Sequence, residues 1–298
     1  MATDSSVAAP VAATAPPPER RREKKQRPRW LAHLLLIAFA LLMLYPLLWM
    51  LSSSFKPTED IFSETGLIPS RVTGGNYPDG WTALPRDFGT YIWNSMIVVV
   101  GSIVGNLLAC SLAAYAFARL EFWGKKFWFA VMLGTIMLPI HVVIVPQYIL
   151  FSEIGWINTY WPLIVPKLLA TDGFFIFLMV QFIRGIPREL DEAARIDGCG
   201  HFGIFWRVIL PLSVPGLATT AIFTFIWTWN DFFSQLIFLT DPDMYTVPVA
   251  LRTFVDATSQ TPWGPVFAMS IVALAPVFGF FLAGQRYLVR GIATTGLK

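Results

Sequence analysis

Charged residues are scarce in this chain. They make up only 14% of its 298 residues, whereas hydrophobic residues make up 55%. A typical soluble domain has about 25% charged residues. So low a charge content excludes an ordinary soluble domain, because most of the side chains have to be solvated by lipid or by the protein itself. The composition therefore predicts an integral membrane protein.

Motifs for nucleotide, metal and hydrolytic sites are missing as well. No Gly-x-x-x-x-Gly-Lys-Ser/Thr phosphate loop occurs, and residues 124–126 lack both its spacing and its hydroxyl group. His33, His141 and His201 are scattered without a His-Glu-x-x-His motif, so we expect no metal site. Gly-x-Ser-x-Gly is also absent. We predict no enzyme chemistry and no cofactor in this chain.

Long apolar runs dominate what is present. A hydrocarbon core of about 30 Å needs about 20 apolar residues in a helix, and repeated runs of that length favour helices over the short strands of a barrel. The fold class is therefore an all-α membrane protein with six transmembrane helices. The predicted spans lie at about 30–54, 89–118, 125–151, 160–184, 212–240 and 264–289. The polar residues 55–88, rich in proline and glycine, read as an outer loop with a short interfacial helix.

The distribution of lysine and arginine predicts which side of the membrane each joint occupies. If the spans alternate, the inner segments hold seventeen of these residues and the outer loops hold only Lys56, Arg71, Arg86 and Arg252. Positive residues concentrate on the cytoplasmic side of membrane proteins. We therefore expect both termini and the joint at residues 187–211 to be cytoplasmic. Cys110 then falls in a span and Cys199 in a cytoplasmic loop, so we interpret both as free thiols.

The N-terminal residues 1–29 differ from the rest of the chain. Residues 1–19 are mainly alanine, proline, serine and threonine, and we expect them to be disordered. The basic run at residues 20–29 abuts the first span and favours an anchor beside anionic lipid over a nucleic-acid site. No cleavage site follows the first span, so it should be retained. Residues 30–298 then form one transmembrane domain.

The connector, residues 187–211, is a polar stretch with its own signals for the start and the end of a short helix. Pro187 suits the first position of a helix, and the acidic residues of the following turn favour a helix N-terminus. Gly198 and Gly200 should end that helix. The small residues Ala193 and Ala194 would allow close approach of another protein's backbone. An ordinary amphipathic connector lying on the membrane surface is the alternative.

A second short helix is predicted in the same connector. Phe202, Phe205, Trp206 and Ile209 recur at helical spacing and define one apolar face. Pro211 should end this helix. Two short helices joined at glycine would make a compact, rigid contact element.

The connector resembles the signature of the membrane-spanning subunits of ATP-binding-cassette importers. Glu192-Ala193-Ala194, Gly198 and Leu210-Pro211 match at that family's spacing, and Val208 stands where the family usually has isoleucine. In that family the loop docks on a cytoplasmic ATPase and is called the coupling helix. The resemblance implies a type I importer permease fold. It implies this ATPase-coupling set: Glu189, Glu192, Ala193, Ala194, Asp197, Gly198, Leu210 and Pro211.

Three charged residues fall inside predicted spans, where each costs on the order of 3 kcal/mol on insertion scales. For Lys167 and Asp172, which share one span, a local break or a structural pair is favoured over contact with a solute. Asp231 follows Trp227, Trp229 and Asn230. Aromatic faces stack on sugar rings and carboxylates or amides bind hydroxyls, so these four residues could line a carbohydrate path. Helix packing by aromatic bulk is the alternative.

Trp229-Asn230-Asp231 is also similar to the Trp-Asn-Asp/Glu of carbohydrate-class permeases, and the resemblance extends from about residue 30 to the C-terminus. It implies the second, maltose-type permease subunit of an importer for a di- or oligosaccharide in the bacterial cytoplasmic membrane. Its implied partners are a second homologous permease, an ATPase dimer that holds ATP and magnesium, and an extracytoplasmic solute-binding protein. The tail, residues 285–298, departs from the family's ending, which leaves a contact with the ATPase open.

Two other functions compete with this one. A permease for glycerol phosphate or another small solute belongs to the same class. An ion-coupled secondary transporter belongs to a different class and would need no ATPase.

Overall fold

The computed structural model describes residues 30–255 and 261–295. The N-terminal residues 1–29, where disorder and a basic anchor were predicted, and the last residues of the C-terminal tail lie outside this part of the chain. The α-helices are α1 Trp30–Ser53, α2 Asn76–Thr82, α3 Phe88–Arg119, α4 Lys125–Ile136, α5 Ile140–Glu153, α6 Trp161–Leu168, α7 Gly173–Arg184, α8 Glu189–Ile196, α9 His201–Ile204, α10 Leu210–Leu212, α11 Val214–Asn230, α12 Phe233–Phe238, α13 Val247–Thr253 and α14 Trp263–Thr295. Short 3₁₀ turns lie at Thr58–Asp60 and Pro242–Met244, and a π turn at Phe205–Ile209.

Four helical segments are long and apolar enough to cross a membrane unaided. They are Trp30–Ser53, Phe88–Arg119, Trp161–Arg184 and Trp263–Arg286. Two bent pairs pass the same test, α4 with α5 at 101° and His201–Leu212 with α11 at 75°. Counting each bent pair as one span gives six spans, the predicted number, although the second pair covers 201–230 and the predicted fifth span was 212–240. The short helix predicted in the loop at residues 55–88 is α2.

The third predicted span, residues 125–151, is not a straight helix. α4 ends before Met137, and Pro139 is extended, with φ −62° and ψ 136°, before α5 begins. A proline disfavours the helical conformation of the residue before it, which explains a break at this point. Pro146 lies inside α5 without ending it. One proline therefore bends the span and the other is accommodated.

The fifth predicted span, residues 212–240, is also interrupted. Asp231 adopts an extended conformation, with φ −68° and ψ 103°, so α11 stops at Asn230 and α12 starts at Phe233. At its other end, Pro211 does not end the connector helix as predicted. Pro211 lies inside the continuous helical run His201–Leu212, directly after the π turn at Phe205–Ile209, and the chain turns only at Ser213.

The first unit of the chain ends at Pro46, inside α1, and Leu47 begins the second. Large apolar side chains of the first unit, from Trp30 to Tyr45, are exposed. That is the pattern of a helix solvated by lipid.

In the second unit, α3 is the central helix and packs against α6, α7 and α11. Gly101 and Gly105 allow α6 to come close. A Cβ at Gly105 would lie 3.0 Å from backbone atoms of Lys167 and Leu168. At its N-terminal end, α3 is hydrogen-bonded to the loop before α13, where the Asn94 amide donates to the carbonyls of Asp243 and Tyr245, both at 2.9 Å. Close packing by small residues and interhelical hydrogen bonds is how membrane helices associate.

Candidate functional site: the connector and the membrane cavity

Helix α8 of the connector starts later than predicted. The backbone N–H groups of Asp191 and Glu192 donate to the carbonyl of Arg188, at 2.9 and 3.2 Å. Arg188 is therefore the residue that precedes the helix, and Pro187 lies outside it. The predicted helical position of Pro187 is wrong by two residues, because the first bonded turn closes on Arg188.

The end of α8 is as predicted. Gly198 has a positive φ of 82°, which glycine adopts without strain. The N–H of Cys199 donates to the carbonyl of Ala194 at 2.9 Å, and the N–H of Gly198 donates to that of Arg195 at 3.0 Å. This pair of bonds is the Schellman arrangement that terminates many helices. The chain then turns sharply into α9.

The second connector helix does not present a single apolar face. Phe205 and Ile209 are buried, whereas Phe202 is 69% exposed and Trp206 is 39% exposed. Phe202 and Trp206, one turn apart, contact each other with ring centroids 5.9 Å apart, whereas Phe205 and Ile209, also one turn apart, lie in the core. A π turn at Phe205–Ile209, in which the N–H of Leu210 donates to the carbonyl of Phe205, follows in the same helix. The aromatic residues are divided between the core and the surface.

The exposed side of the connector carries most of the predicted ATPase-coupling residues. Ala194 is buried in the protein's own core, so it is not free for a partner as predicted. Leu210 is half-buried, and Pro211 is exposed. Ile196, 87% exposed, was not singled out from the sequence, although an isoleucine in an otherwise polar turn was a usable signal. We name the following exposed residues the connector surface: Glu189, Glu192, Ala193, Ile196, Asp197, Gly198 and Phe202.

A buried ion pair fastens the connector to the membrane part. Arg119 is the last residue of α3, and its Nε lies 3.3 Å from Oδ2 of Asp191 in α8. The Arg119 Nη2 group also donates to the carbonyl of Ile186 at 2.6 Å. The sequence placed Asp191 only among helix-favouring acidic residues and gave no partner to Arg119. The structure joins the two across the start of the connector.

Lys167 and Asp172 show both of the predicted features. Lys167 Nζ lies 2.9 Å from Oδ2 of Asp172. The helix is interrupted between them, where Ala170 has a φ of 56°. Asn106 of α3 donates to the same carboxylate at 2.8 Å and to the hydroxyl of Thr224 in α11 at 3.1 Å. The charges are thus neutralised in a polar network that ties three helices together.

A cavity of about 570 Å³ lies between α6 and the break that follows α11. Its lining includes Trp227, Asn230 and Asp231, as well as Lys167 and Gln235. A neighbouring cavity of about 410 Å³ shares Lys167 and Asp231 and adds Gln147, Thr171 and Asp172. Three of the four predicted path residues therefore line one cavity.

Trp229, the fourth of them, does not line that cavity. It is 3% exposed and stacks on Phe225 with ring centroids 5.7 Å apart. Phe225 in turn stacks on Phe280 of α14 at 4.3 Å. The alternative of helix packing by aromatic bulk holds for Trp229, because adjacent positions on α11 point in different directions. Trp227 is 49% exposed.

Comparison with known proteins identifies the class. The chain belongs to the family described as binding-protein-dependent transport system inner membrane component, which matches residues 105–294. It is therefore a multi-pass membrane protein of a transport system.

Individual relatives cover most of the chain. The probable ABC transporter permease protein YurM of Bacillus subtilis is 40% identical over 265 residues, which are 89% of this chain and 86% of YurM. The arabinooligosaccharides transport system permease protein AraQ of Halalkalibacterium halodurans is 34% identical over 281 residues, 90% of this chain and 97% of AraQ. A chain in the crystal structure of a bacterial ABC transporter involved in the import of alginate, an acidic polysaccharide, has the same fold. Its TM-score is 0.76 at 22% identity, with 87% of this chain and 95% of that chain covered.

Proposed function

We propose that this chain is one of two permease subunits of an ATP-driven importer for a neutral di- or oligosaccharide, and that a separate ATPase acts on it through the connector surface. The observation that carries the proposal is the connector surface itself. It exposes Ile196 and Phe202 beside the carboxylates of Glu189, Glu192 and Asp197. Large apolar side chains with a charged rim suit a protein partner.

The attachment of the connector supports a mechanical role. Asp191 and Arg119 are 7% and 3% exposed, so the contact between α8 and α3 excludes water. An ATPase that displaced the connector would move α3 with it. A nucleotide can drive such a change only by binding the two permease states with different affinity. In this proposal ATP and magnesium belong to the ATPase, and the connector and both termini of this chain are cytoplasmic.

The proposed solute rests on the cavity and on the relatives. AraQ is a permease for arabinooligosaccharides. In the cavity, the ring of Trp227 can stack on a sugar, and the carboxylate of Asp231 can accept hydrogen bonds from hydroxyls. Lys167 is neutralised by Asp172, which leaves Asp231 as a negative charge in this lining. That charge balance favours a neutral sugar over glycerol phosphate.

Reconstitution tests the proposal. The chain would be placed in proteoliposomes with a partner permease, an ATPase and a solute-binding protein, and uptake of labelled neutral oligosaccharides and glycerol phosphate would be measured. We expect ATP-dependent uptake of a neutral oligosaccharide. Preferential uptake of glycerol phosphate would show that the proposed class of solute, a neutral oligosaccharide, is wrong. Uptake by the permeases alone, driven by an ion gradient and insensitive to ATP, would instead identify a secondary transporter.

A further inference from the structure

A third cavity, about 630 Å³, lies between the end of α3 and the start of α4, and nothing in the proposed transport path uses it. We name it the α3–α4 pocket. Its charged lining is Glu121, Lys125, Lys126 and Arg184, and its other walls are mainly phenylalanine. Three cations against one anion give the pocket a positive balance. Neither the path nor the connector surface shares these residues.

The single anion of the pocket is already paired. Lys125 Nζ donates to Glu121 Oε1 at 2.9 Å and to the carbonyl of Leu120 at 2.7 Å. The hydrogen bond from Lys125 holds the pKa of the Glu121 carboxyl below its usual value, so this carboxylate stays ionised at neutral pH. Its charge is offset by Lys125. The positive balance therefore comes from Lys126 and Arg184.

Those two cations form no salt bridge in the described part of the chain, although the charge of Lys126 also acts on Glu121. Lys126 is exposed and makes neither a hydrogen bond nor an ion pair there. The guanidinium of Arg184 lies over the ring of Phe129, 5.4 Å from its centroid. Stacking fixes the plane of the guanidinium and leaves its N–H groups available to an acceptor. An anion with several oxygen atoms in the pocket would find donors on both side chains, since both line it.

The surroundings of the pocket point to lipid as the source of that anion. Next to it, Trp123 is 92% exposed, Phe127 63% and Trp128 50%. Tryptophan and other aromatic residues concentrate at the level of lipid headgroups, and basic pockets between transmembrane helices bind anionic headgroups. Farther along α4, Val131 and Ile136 are exposed apolar residues, which places the hydrocarbon layer beyond the pocket.

We propose that the α3–α4 pocket binds the phosphate of an anionic phospholipid, with Lys126 and Arg184 as its ligands and the neighbouring aromatic side chains against the glycerol and upper acyl chains. The site is independent of the transported solute. The attraction between an anionic lipid and one lysine or arginine near the membrane surface changes the lipid's affinity by about fivefold. Loss of the charges of both Lys126 and Arg184 should therefore weaken lipid binding by about twenty-five-fold.

Native mass spectrometry of the full-length chain in detergent, with added phosphatidylglycerol or phosphatidylcholine, tests the site. We expect wild type to retain phosphatidylglycerol selectively and K126Q/R184Q to lose that selectivity. Arg252→Gln, which removes an exposed cation elsewhere, is the matched control and should bind like wild type. Lys126→Arg keeps the positive charge and should preserve lipid binding. This variant shows whether K126Q/R184Q fails because it lacks the binding cations or because the chain is misfolded.

Three results would overturn the proposal. The first is equal retention of both lipids by wild type. The second is unchanged retention of phosphatidylglycerol by K126Q/R184Q. The third is displacement of the lipid by millimolar free glycerol phosphate, which would make the pocket a site for a soluble phosphate.

Discussion

Arg119 and Asp191 lie 72 positions apart in the chain and form an almost completely buried ion pair, with side chains 3% and 7% exposed. The pair is in contact at 3.3 Å, yet Arg119 Nε and Asp191 Oδ1 have no hydrogen-bond partner in the described part of the chain. The attraction between the two charges therefore stabilises the pair more than a bidentate set of hydrogen bonds does. Because its ends belong to α3 and to α8, it determines how the connector sits on the membrane part.

Substitution of Asp191 by asparagine should destabilise the protein and uncouple transport. Removing one partner of a buried ion pair leaves an uncompensated charge, which costs about 3–5 kcal/mol. Thermal unfolding of the purified chain and ATP-driven uptake would both be measured. Asp197→Asn, at an exposed carboxylate of the same connector, should change stability by less than about 0.5 kcal/mol. The double variant R119M/D191L should recover most of the stability that D191N loses, since neither buried charge remains. If D191N were as stable as wild type, the ion pair would not have the role assigned to it.

Gly198→Ala should destabilise the end of α8, whereas Gly200→Ala should have little effect. A side chain at Gly198 would meet no atom within 4 Å, so the cost comes from its φ of +82°, about 1–2 kcal/mol. Gly200 has an ordinary φ of −73° and equal space around it. Comparison of the two melting temperatures and of the rates of ATP-driven uptake checks this. Equal effects of the two substitutions would mean that backbone conformation is not what matters at Gly198.

Glu192→Lys should reduce ATP-driven uptake by about tenfold without preventing membrane insertion. The reversal puts a cation on the connector surface where the partner is expected to meet an anion, and such mismatches cost at least 1.4 kcal/mol, which is tenfold. Glu153→Lys makes the same change at another exposed carboxylate, in α5. We expect the control to transport normally. Normal uptake by Glu192→Lys at normal expression would remove this residue from the contact with the ATPase.

Trp227→Ala should mainly lower sugar uptake, whereas Trp229→Ala should mainly lower the stability of the protein. Trp229 is buried between helices, and loss of a buried tryptophan costs about 3–5 kcal/mol. Trp227 is half exposed to the cavity, so its loss should lower sugar uptake with a smaller loss of stability. Unfolding curves and the concentration dependence of uptake distinguish the two. If Trp227→Ala were the more destabilising change, Trp227 would be a packing residue.

Cys199 offers a direct test of orientation. It is half-buried in the connector, and the other cysteine, Cys110, is fully buried. We expect a membrane-impermeant maleimide to label Cys199 in inside-out vesicles that lack the ATPase, and not in right-side-out vesicles. Cys199→Ser should abolish the labelling. Labelling from the outside would place the connector on the wrong face for an ATPase.

Features set by local chemistry were predictable from the sequence. Gly198 ends α8 because a glycine that follows a polar helical stretch readily takes the left-handed conformation. Lys167 and Asp172 were predicted as a pair or a break because isolated charges are unfavourable in a span, and both expectations are confirmed. Six spans follow from the number of long apolar runs.

Features set by tertiary packing were not predictable. The pairing of Arg119 with Asp191 depends on how α3 meets the connector, and no local pattern records it. Periodicity assigned Phe202 and Phe205 to one face, but packing buries Phe205 in the core and leaves Phe202 exposed. Aromatic content alone could not separate Trp229, which faces α14, from Trp227, which faces the cavity.

The length of α3 relates events on the two sides of the membrane. Its 32 residues extend about 48 Å, with Arg119 at one end and Asn94 and Ser95 near the other. There the Ser95 hydroxyl accepts from the N–H of Val247, so the start of α13 is bound to the same helix as the connector. A tilt imposed at one end would therefore displace the opposite surface by a rigid-body motion. Communication across the bilayer then requires no relay of small rearrangements through the lipid-facing helices.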